Sequence, residues 1–281
     1  MMKTKIFLDG GDPKETQEVI SVLGYLDGQT TNPTLVAKNP EVIKRIEAGE
    51  KFSAEEIMDF YKQVVSEISI IIPNSSVSIE VYADKDTTTE AMLKQAREMN
   101  SWIPNAHIKF PTTKAGLEAA SKCVKEGINV NMTLVFTQEQ AAAVYAATKG
   151  AEKGQVFVSP FVGRLDDRGE NGMDLIKNIL KMHQGGDGHV EVLAASLRSI
   201  DHFEAALALG SDIITSPLKL IQEWADRGKD IPLEYTYAPD LSEIKYQELD
   251  LSQDWKEFNI SHELTDKGIE KFAADWNSLI K

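Results

Sequence analysis

With 281 residues, 42% of them hydrophobic, the chain is long enough for one large core or a barrel with an appendage. A formal net charge of −14 argues against a polyanionic partner such as nucleic acid or an anionic membrane, so any phosphate must meet a local cluster of basic groups. The single cysteine, Cys123, rules out an internal disulfide framework and a cysteine-rich zinc site, which makes a reducing, cytoplasmic setting the expectation.

Met1–Thr4 leads into a strand without an apolar signal-peptide core, and no apolar run reaches membrane-spanning length. Lys5–Asp9 reads as a first strand ending in a carboxylate. Asp12 as N-cap, Pro13 at the first helical position, Glu15 as a capping-box partner and Gly24 as C-cap predict the helix that follows. Pro33 forces Asn32 into an extended conformation at the end of a second strand, and a helix begins at Asn39-Pro40. Ser53 and Glu56 form a capping box for a helix over 53–68, with Ile57, Phe60, Tyr61, Val64, Val65 and Ile68 on one face.

Val77–Tyr82 is a third strand carrying Glu80 in apolar company, followed by a helix from about Thr87 to Asn100. His107–Thr112 is the fourth strand, and Thr113 caps the next helix, which Gly127 closes. Ile128–Thr133 is the fifth, before a helix capped by Thr137 and Gln140. Gln155–Pro160 is the sixth, running into Phe161-Val162-Gly163-Arg164, with a helix from about Met173 to His183. Val190–Ala194 is the seventh, leading to Ser196 and Arg198, with Ser199 capping its helix. Asp212–Thr215 is the eighth, and Ser216-Pro217 opens a helix running to Gly228.

Eight strands alternating with helices imply parallel pairing through right-handed crossovers, and eight is the number that closes a (β/α)8 TIM barrel; an open doubly wound sheet is the alternative. The expected organisation is a barrel over 1–230 and an extension over 231–281. The extension ends in an amphipathic helix bearing Ile269, Phe272, Ala273, Trp276, Leu279 and Ile280, to be packed on the barrel or on a neighbouring subunit of a homo-oligomer.

Lys109 lies in the middle of an apolar strand. By itself such a lysine is more often a strand-end residue with its stem on apolar surface and its head in water. In a barrel, however, active sites lie at the C-terminal ends of the strands. Asp9, Asn32, Glu80, Lys109, Asn131, Thr133, Ser159, Arg164, Ser196 and Arg198 all fall at or just beyond such ends. A buried lysine there tends to lose its proton and can attack a ketone or aldehyde to form a Schiff base. Asp9 and Glu80 can move the protons that this chemistry needs, although Glu80 is equally well read as a structural ion-pair partner of Lys109. Arg164 and Arg198, at matching strand ends of an acidic protein, point to one anionic substrate group. The five histidines show no metal-ligand spacing and there is no glycine-rich nucleotide loop, so no metal and no cofactor are expected.

Seven segments, in this order, resemble the transaldolase family: Phe7-Leu8-Asp9, Thr30–Leu35, Val77–Val81, Ile108–Thr112, Gly127–Leu134, Ser159–Arg164 and Ala195–Arg198. The resemblance implies a metal-free mechanism in which Lys109 forms a Schiff base with the C2 carbonyl of a ketose phosphate. It further implies that Asp9 is the general base for the C4 hydroxyl, and that Glu80 and Thr133 position a catalytic water. Asn32, Asn131 and Ser159 would hold substrate hydroxyls, and Arg164, Ser196 and Arg198 the phosphate. The chain departs from the pattern at Gly10, where relatives often have threonine or serine, and the resemblance is loose beyond Pro232.

An aldolase branch that releases free dihydroxyacetone resembles this pattern but has glutamine and tyrosine where this chain has Glu80 and Phe161. A transaldolase acting on a sulfonated ketose is a second alternative, because the same arginines and serine suit a sulfonate. A barrel that binds sugar phosphates without catalysis would be expected to have a broken catalytic set, and here it is intact.

Overall fold

The computed structural model describes residues 4–281, so the reading of Met1–Lys3 lies outside the described residues. The strands are β1 (Lys5–Asp9), β2 (Gly28–Thr30), β3 (Ser76–Glu80), β4 (Ala106–Pro111), β5 (Val130–Val135), β6 (Val156–Pro160), β7 (Val190–Ala194) and β8 (Ile213–Ser216). Each pairs in parallel with the next, and β1 pairs with β8, which closes the (β/α)8 barrel.

The strands close because each alternates between two kinds of neighbour. Ile6, Leu8, Val77, Ile79, Ile108 and Phe110 are fully buried and serve the layer beneath the surrounding helices. The intervening positions fill the barrel. At its lower end Lys5 and Glu191 form an ion pair at 2.8 Å. Above them Phe157 meets Phe7 edge-on at 5.8 Å and stacks on His107 at 4.1 Å, so the bottom is packed shut. Burial pulls the His107 imidazole down to about 4, which leaves it neutral between Ser76 and the Gly154 carbonyl. Access to the interior is therefore from the strands' C-terminal ends.

The helices begin where the caps were read. Ser53 with Glu56, and Thr137 with Gln140, form reciprocal capping boxes, Thr113 accepts the Gly116 amide, and Gly24 closes the first helix in the left-handed conformation. Asp12 accepts the Lys14 amide rather than that of Glu15, a tighter turn than the box expected there. Two short helices, Pro33–Ala37 and Val162–Asp166, occupy what read as loops, and both lie at the barrel mouth. Strand β5 starts and ends two residues later than expected. A bulge between Met132 and Val135, with Leu134 at φ 60°, breaks its register just beyond Thr133.

Residues beyond Asp226 leave the strand-helix pattern. An extended strap runs along the outside, where Asn178 and Gln138 donate to the Ile244 and Lys245 carbonyls. It returns to the mouth as the terminal helix Glu263–Ser278. Thr265 donates to the Leu134 carbonyl at the bulge, and the Thr34 hydroxyl donates to Asp275. Gly268 makes this docking close: a Cβ there would lie 2.6 Å from Leu134 and 2.8 Å from the Arg164 guanidinium. No helix among the described residues is long and apolar enough to cross a membrane.

Candidate active site

Lys109 is only 3% exposed and Glu80 4%, and the two are register partners on β4 and β3. The Lys109 ammonium lies 3.2 Å from Glu80 Oε2 and donates to the Thr31 carbonyl at 3.4 Å. Burial pushes the Glu80 carboxyl above its ordinary value, against the pull of Lys109, and the negative charge of Asp9 adds to the rise. Behind this pair, the Thr31 hydroxyl donates to the Ser78 carbonyl, so Tyr61 must donate to Thr31 and accept the Glu80 amide. Tyr61 thus fixes the β3 end that carries Glu80; its helical spacing marked it only as a core residue.

Asp9, at the end of β1, is half-buried and lines the mouth cavity. Surrounding protein pushes its carboxyl up, while Lys109 and the Thr30 hydroxyl, which donates at 2.7 Å, pull it down; burial wins. Thr30 is in turn 2.6 Å from Thr215 on β8, so the carboxylate is braced from both neighbouring strands.

The cavity, about 220 Å³, brings together most of the residues singled out from the sequence. Asp9, Asn32, Lys109, Ser159, Phe161, Arg164, Ser196 and Arg198 line it. Glu80, Asn131 and Thr133 do not; they are buried behind Lys109. Asn131 accepts from Ser159 at 2.6 Å and donates to Ser78 at 3.1 Å, and Asn32 caps the Pro33–Ala37 helix through the Leu35 amide. Thr133 Oγ1 is buried without a protein hydrogen-bond partner, and the partner of Glu80 Oε2 is the Lys109 ammonium alone. The cavity also takes in Lys38, Lys271 and Phe272. Sequence reasoning did not single out the two lysines, which belong to no motif, and read Phe272 only as one member of an apolar face.

Arg164 lies over Phe161 at 5.3 Å and Phe272 at 5.6 Å from the ring centroids. Burial pulls its pKa below the ordinary value, and among the described residues it makes no ion pair. Arg198 instead holds Asp167 through both nitrogens, at 2.9 and 2.7 Å. Both members of that pair are half-exposed, and such pairs contribute about 0–1 kcal/mol, so an incoming anion can displace the carboxylate. Ser196 adopts φ 59°, the left-handed region that non-glycine residues enter at a cost of about 1–3 kcal/mol, and its carbonyl accepts the Gly163 amide. A Cβ on Gly163 would lie 2.6 Å from both that carbonyl and Arg198 Nε. Gly163→Ala should therefore spread the two arginine loops and weaken the binding of inorganic phosphate about tenfold, roughly 1.4 kcal/mol. An unchanged phosphate affinity by calorimetry would show that the loops need not touch.

Among the described residues, no group of three or more His, Cys, Asp or Glu side chains is arranged to hold a metal ion.

Residues 6–281 match the model of the family described as Transaldolase/Fructose-6-phosphate aldolase. The chain belongs to that family. The match to the transaldolase/fructose-6-phosphate aldolase model runs through the strap and the terminal helix as well as the barrel. A probable transaldolase of Dehalococcoides mccartyi is 37% identical over 277 residues, covering 99% of this chain and 100% of that one. Another probable transaldolase, from Alkaliphilus metalliredigens, is 34% identical over 277 residues, with 99% and 100% covered. Among solved structures, 3-hexulose-6-phosphate synthase from Salmonella typhimurium shares the fold, with a TM-score of 0.50 and 10% identity over 80% of this chain and 99% of that one. The family and these relatives make the chain an enzyme of the transaldolase and aldolase kind.

Proposed function

We propose that this enzyme is a transaldolase that moves a dihydroxyacetone unit from a ketose phosphate to an aldose phosphate in the cytoplasmic, non-oxidative pentose phosphate pathway. The observation that carries this reading is a buried lysine, flanked by two carboxylates held above their ordinary values, at the floor of a cavity whose rim bears two arginines. Fructose 6-phosphate or sedoheptulose 7-phosphate would serve as donor, and erythrose 4-phosphate or glyceraldehyde 3-phosphate as acceptor.

Lys109 passes a proton to Glu80, 3.2 Å away, and its amine attacks the C2 carbonyl; the carbinolamine hydroxyl takes up a proton and leaves as water, giving an iminium ion. Asp9 takes the C4 hydroxyl proton as the C3–C4 bond breaks; the aldose phosphate leaves, and the bonding electrons pass into the iminium as an enamine. The enamine attacks the acceptor aldehyde, whose oxygen takes the proton back from Asp9 to become the new C4 hydroxyl, and water then releases the new ketose from Lys109. The buried Thr133 hydroxyl, which has no protein partner, and the Glu80 carboxyl beside Lys109 support their assignment to that water. Arg164, Ser196 and Arg198 hold the phosphate, and Asn32 and Ser159 the hydroxyls of the three-carbon unit, with Asn131, to which the resemblance also gave that role, orienting Ser159 from behind the cavity wall. An aldolase that releases dihydroxyacetone has weaker support, because the cavity wall carries Phe161, which has no hydroxyl to hold a second water.

The test is incubation with fructose 6-phosphate alone, borohydride reduction and peptide mass mapping, with free dihydroxyacetone assayed in parallel. A three-carbon adduct on Lys109 with little free dihydroxyacetone is the expected result. Stoichiometric release in the absence of acceptor would make the enzyme an aldolase, and no adduct with either a phosphorylated or a sulfonated ketose would remove the Schiff-base assignment.

A further inference from the structure

The two loops that carry Arg164 and Arg198 are joined, outside the residues that line the cavity, by a hydrogen-bonded cluster that the chemistry above does not use. Asp166, two residues beyond Arg164, accepts from His202 Nε2 at 2.8 Å and from the Tyr237 hydroxyl at 3.0 Å on one oxygen. Its other oxygen accepts the Gly172 amide at 2.8 Å. His202, four residues beyond Arg198, turns its second nitrogen to the Arg198 backbone amide at 3.3 Å. A backbone amide only donates, so His202 Nδ1 carries the lone pair and its proton sits on Nε2, facing Asp166. The cluster therefore has a single consistent arrangement of donors and acceptors.

Tyr237 brings the strap into this arrangement. From Glu234 to Ala238 the strap alternates, with Glu234, Thr236 and Ala238 exposed and only Tyr235 and Tyr237 turned inward. Tyr237 packs edge-on against His202 at 5.4 Å, and its hydroxyl lies 2.9 Å from His202 Nε2 as well as on Asp166. Burial would raise the Asp166 carboxyl, but the bonds from His202 and the Gly172 amide outweigh it and hold Asp166 below its ordinary value, as an acceptor. His202 is buried, so its bonds to Asp166 and to the Arg198 amide are not easily replaced by solvent.

We propose that Asp166, His202 and Tyr237 are positioning residues for the anion site, locking the Arg164 loop to the Arg198 loop so that both guanidinium groups meet one phosphate. The strap thereby sets the affinity for the phosphorylated end of the substrate without touching it. The proposal rests on the reading of Arg164 and Arg198 as the anion site. Backbone placement matters there because Ser196 is already held in a strained conformation and the Gly163 backbone packs so closely on Ser196 and Arg198 that it leaves no room for a Cβ.

The test uses the full chain with Tyr237→Phe, which removes one hydroxyl, and His202→Gln as a second variant. Inorganic phosphate binding is measured by calorimetry, and steady-state kinetics are run on fructose 6-phosphate and on unphosphorylated fructose. The expected result is phosphate binding weakened about tenfold and KM for fructose 6-phosphate raised to a similar degree, roughly 1.4 kcal/mol. kcat should stay within about twofold, and the parameters for fructose should not change. A cluster that merely braces the fold would lower all rates together or none, and either pattern overturns the proposal, as does a wild-type protein that binds no phosphate. If the wild type binds phosphate but shows no turnover, the transaldolase reading falls while the phosphate affinities of the variants still decide this one.

Discussion

Replacing Lys109 with methionine should abolish transfer, by at least about 10⁴-fold, the scale on which loss of a covalent nucleophile is felt. Methionine matches the apolar stem, so packing in β4 is preserved, but Glu80 loses the cation 3.2 Å away. Breaking a buried pair costs about 3–5 kcal/mol when the remaining charge stays ionised. Glu80 is already held toward its neutral form by burial, so in the variant it takes up a proton and the cost falls toward the lower end. The loss should grow as pH rises, because ionising Glu80 then becomes the unfavourable step. Adding Glu80→Gln should restore denaturant stability without restoring turnover. Residual transfer in Lys109→Met, or a borohydride-trapped adduct at another lysine, would sink the assignment of Lys109.

Asp9→Asn should separate activity from stability in opposite directions. Removing a general base lowers kcat by about 10²–10⁴, provided that asparagine cannot take the C4 proton. Stability should rise. The Asp9 carboxyl is raised in the folded barrel, so the folded state binds its proton more tightly than the unfolded chain does. The group's contribution is fully present below its ordinary value of 3.8 and is lost as pH climbs through the folded value. Asparagine mimics the protonated form at every pH and avoids that loss. At pH 7 the variant should therefore melt higher than the wild type, by about 2–4 °C for each kcal/mol relieved in a chain of this size. The difference should vanish in acid. A variant that melts lower at pH 7 would mean that the Asp9 charge stabilises Lys109 more than burial penalises it.

Much of the barrel is legible in the sequence because each strand is a short apolar run bounded by a cap or a proline, as with Thr113 after β4 and Asn32-Pro33 after β2. Strand ends were less legible where tertiary contacts decide them. Strand β5 continues past Thr133 because Thr265, 132 residues later, donates to the Leu134 carbonyl at the bulge. The residues that share the cavity could be read from strand ends alone, since a closed barrel gathers those ends at one mouth. Three kinds of contact could not be read in that way. Tyr61 reaches the site only because its helix packs behind β3, and Phe272 only because the strap returns to the mouth. The pairing of Arg198 with Asp167 depends on the Val162–Asp166 helix, which turns Asp167 toward the neighbouring loop and read as irregular chain.

The terminal helix has a consequence for the timing of synthesis. A chain growing from the ribosome has made all eight strands by Ser216, together with Lys109, Asp9 and both arginines. Phe272, against which Arg164 lies, is made 56 residues after that, and Gly268, where the helix meets Leu134 and Arg164, only shortly before it. A nascent barrel can thus close with Lys109 in place while one wall of the cavity has not been translated. The Lys109 amine is framed on that side only once the terminal helix has been made, so a chain terminated before that helix would carry the residues of the barrel mouth without the wall that encloses them.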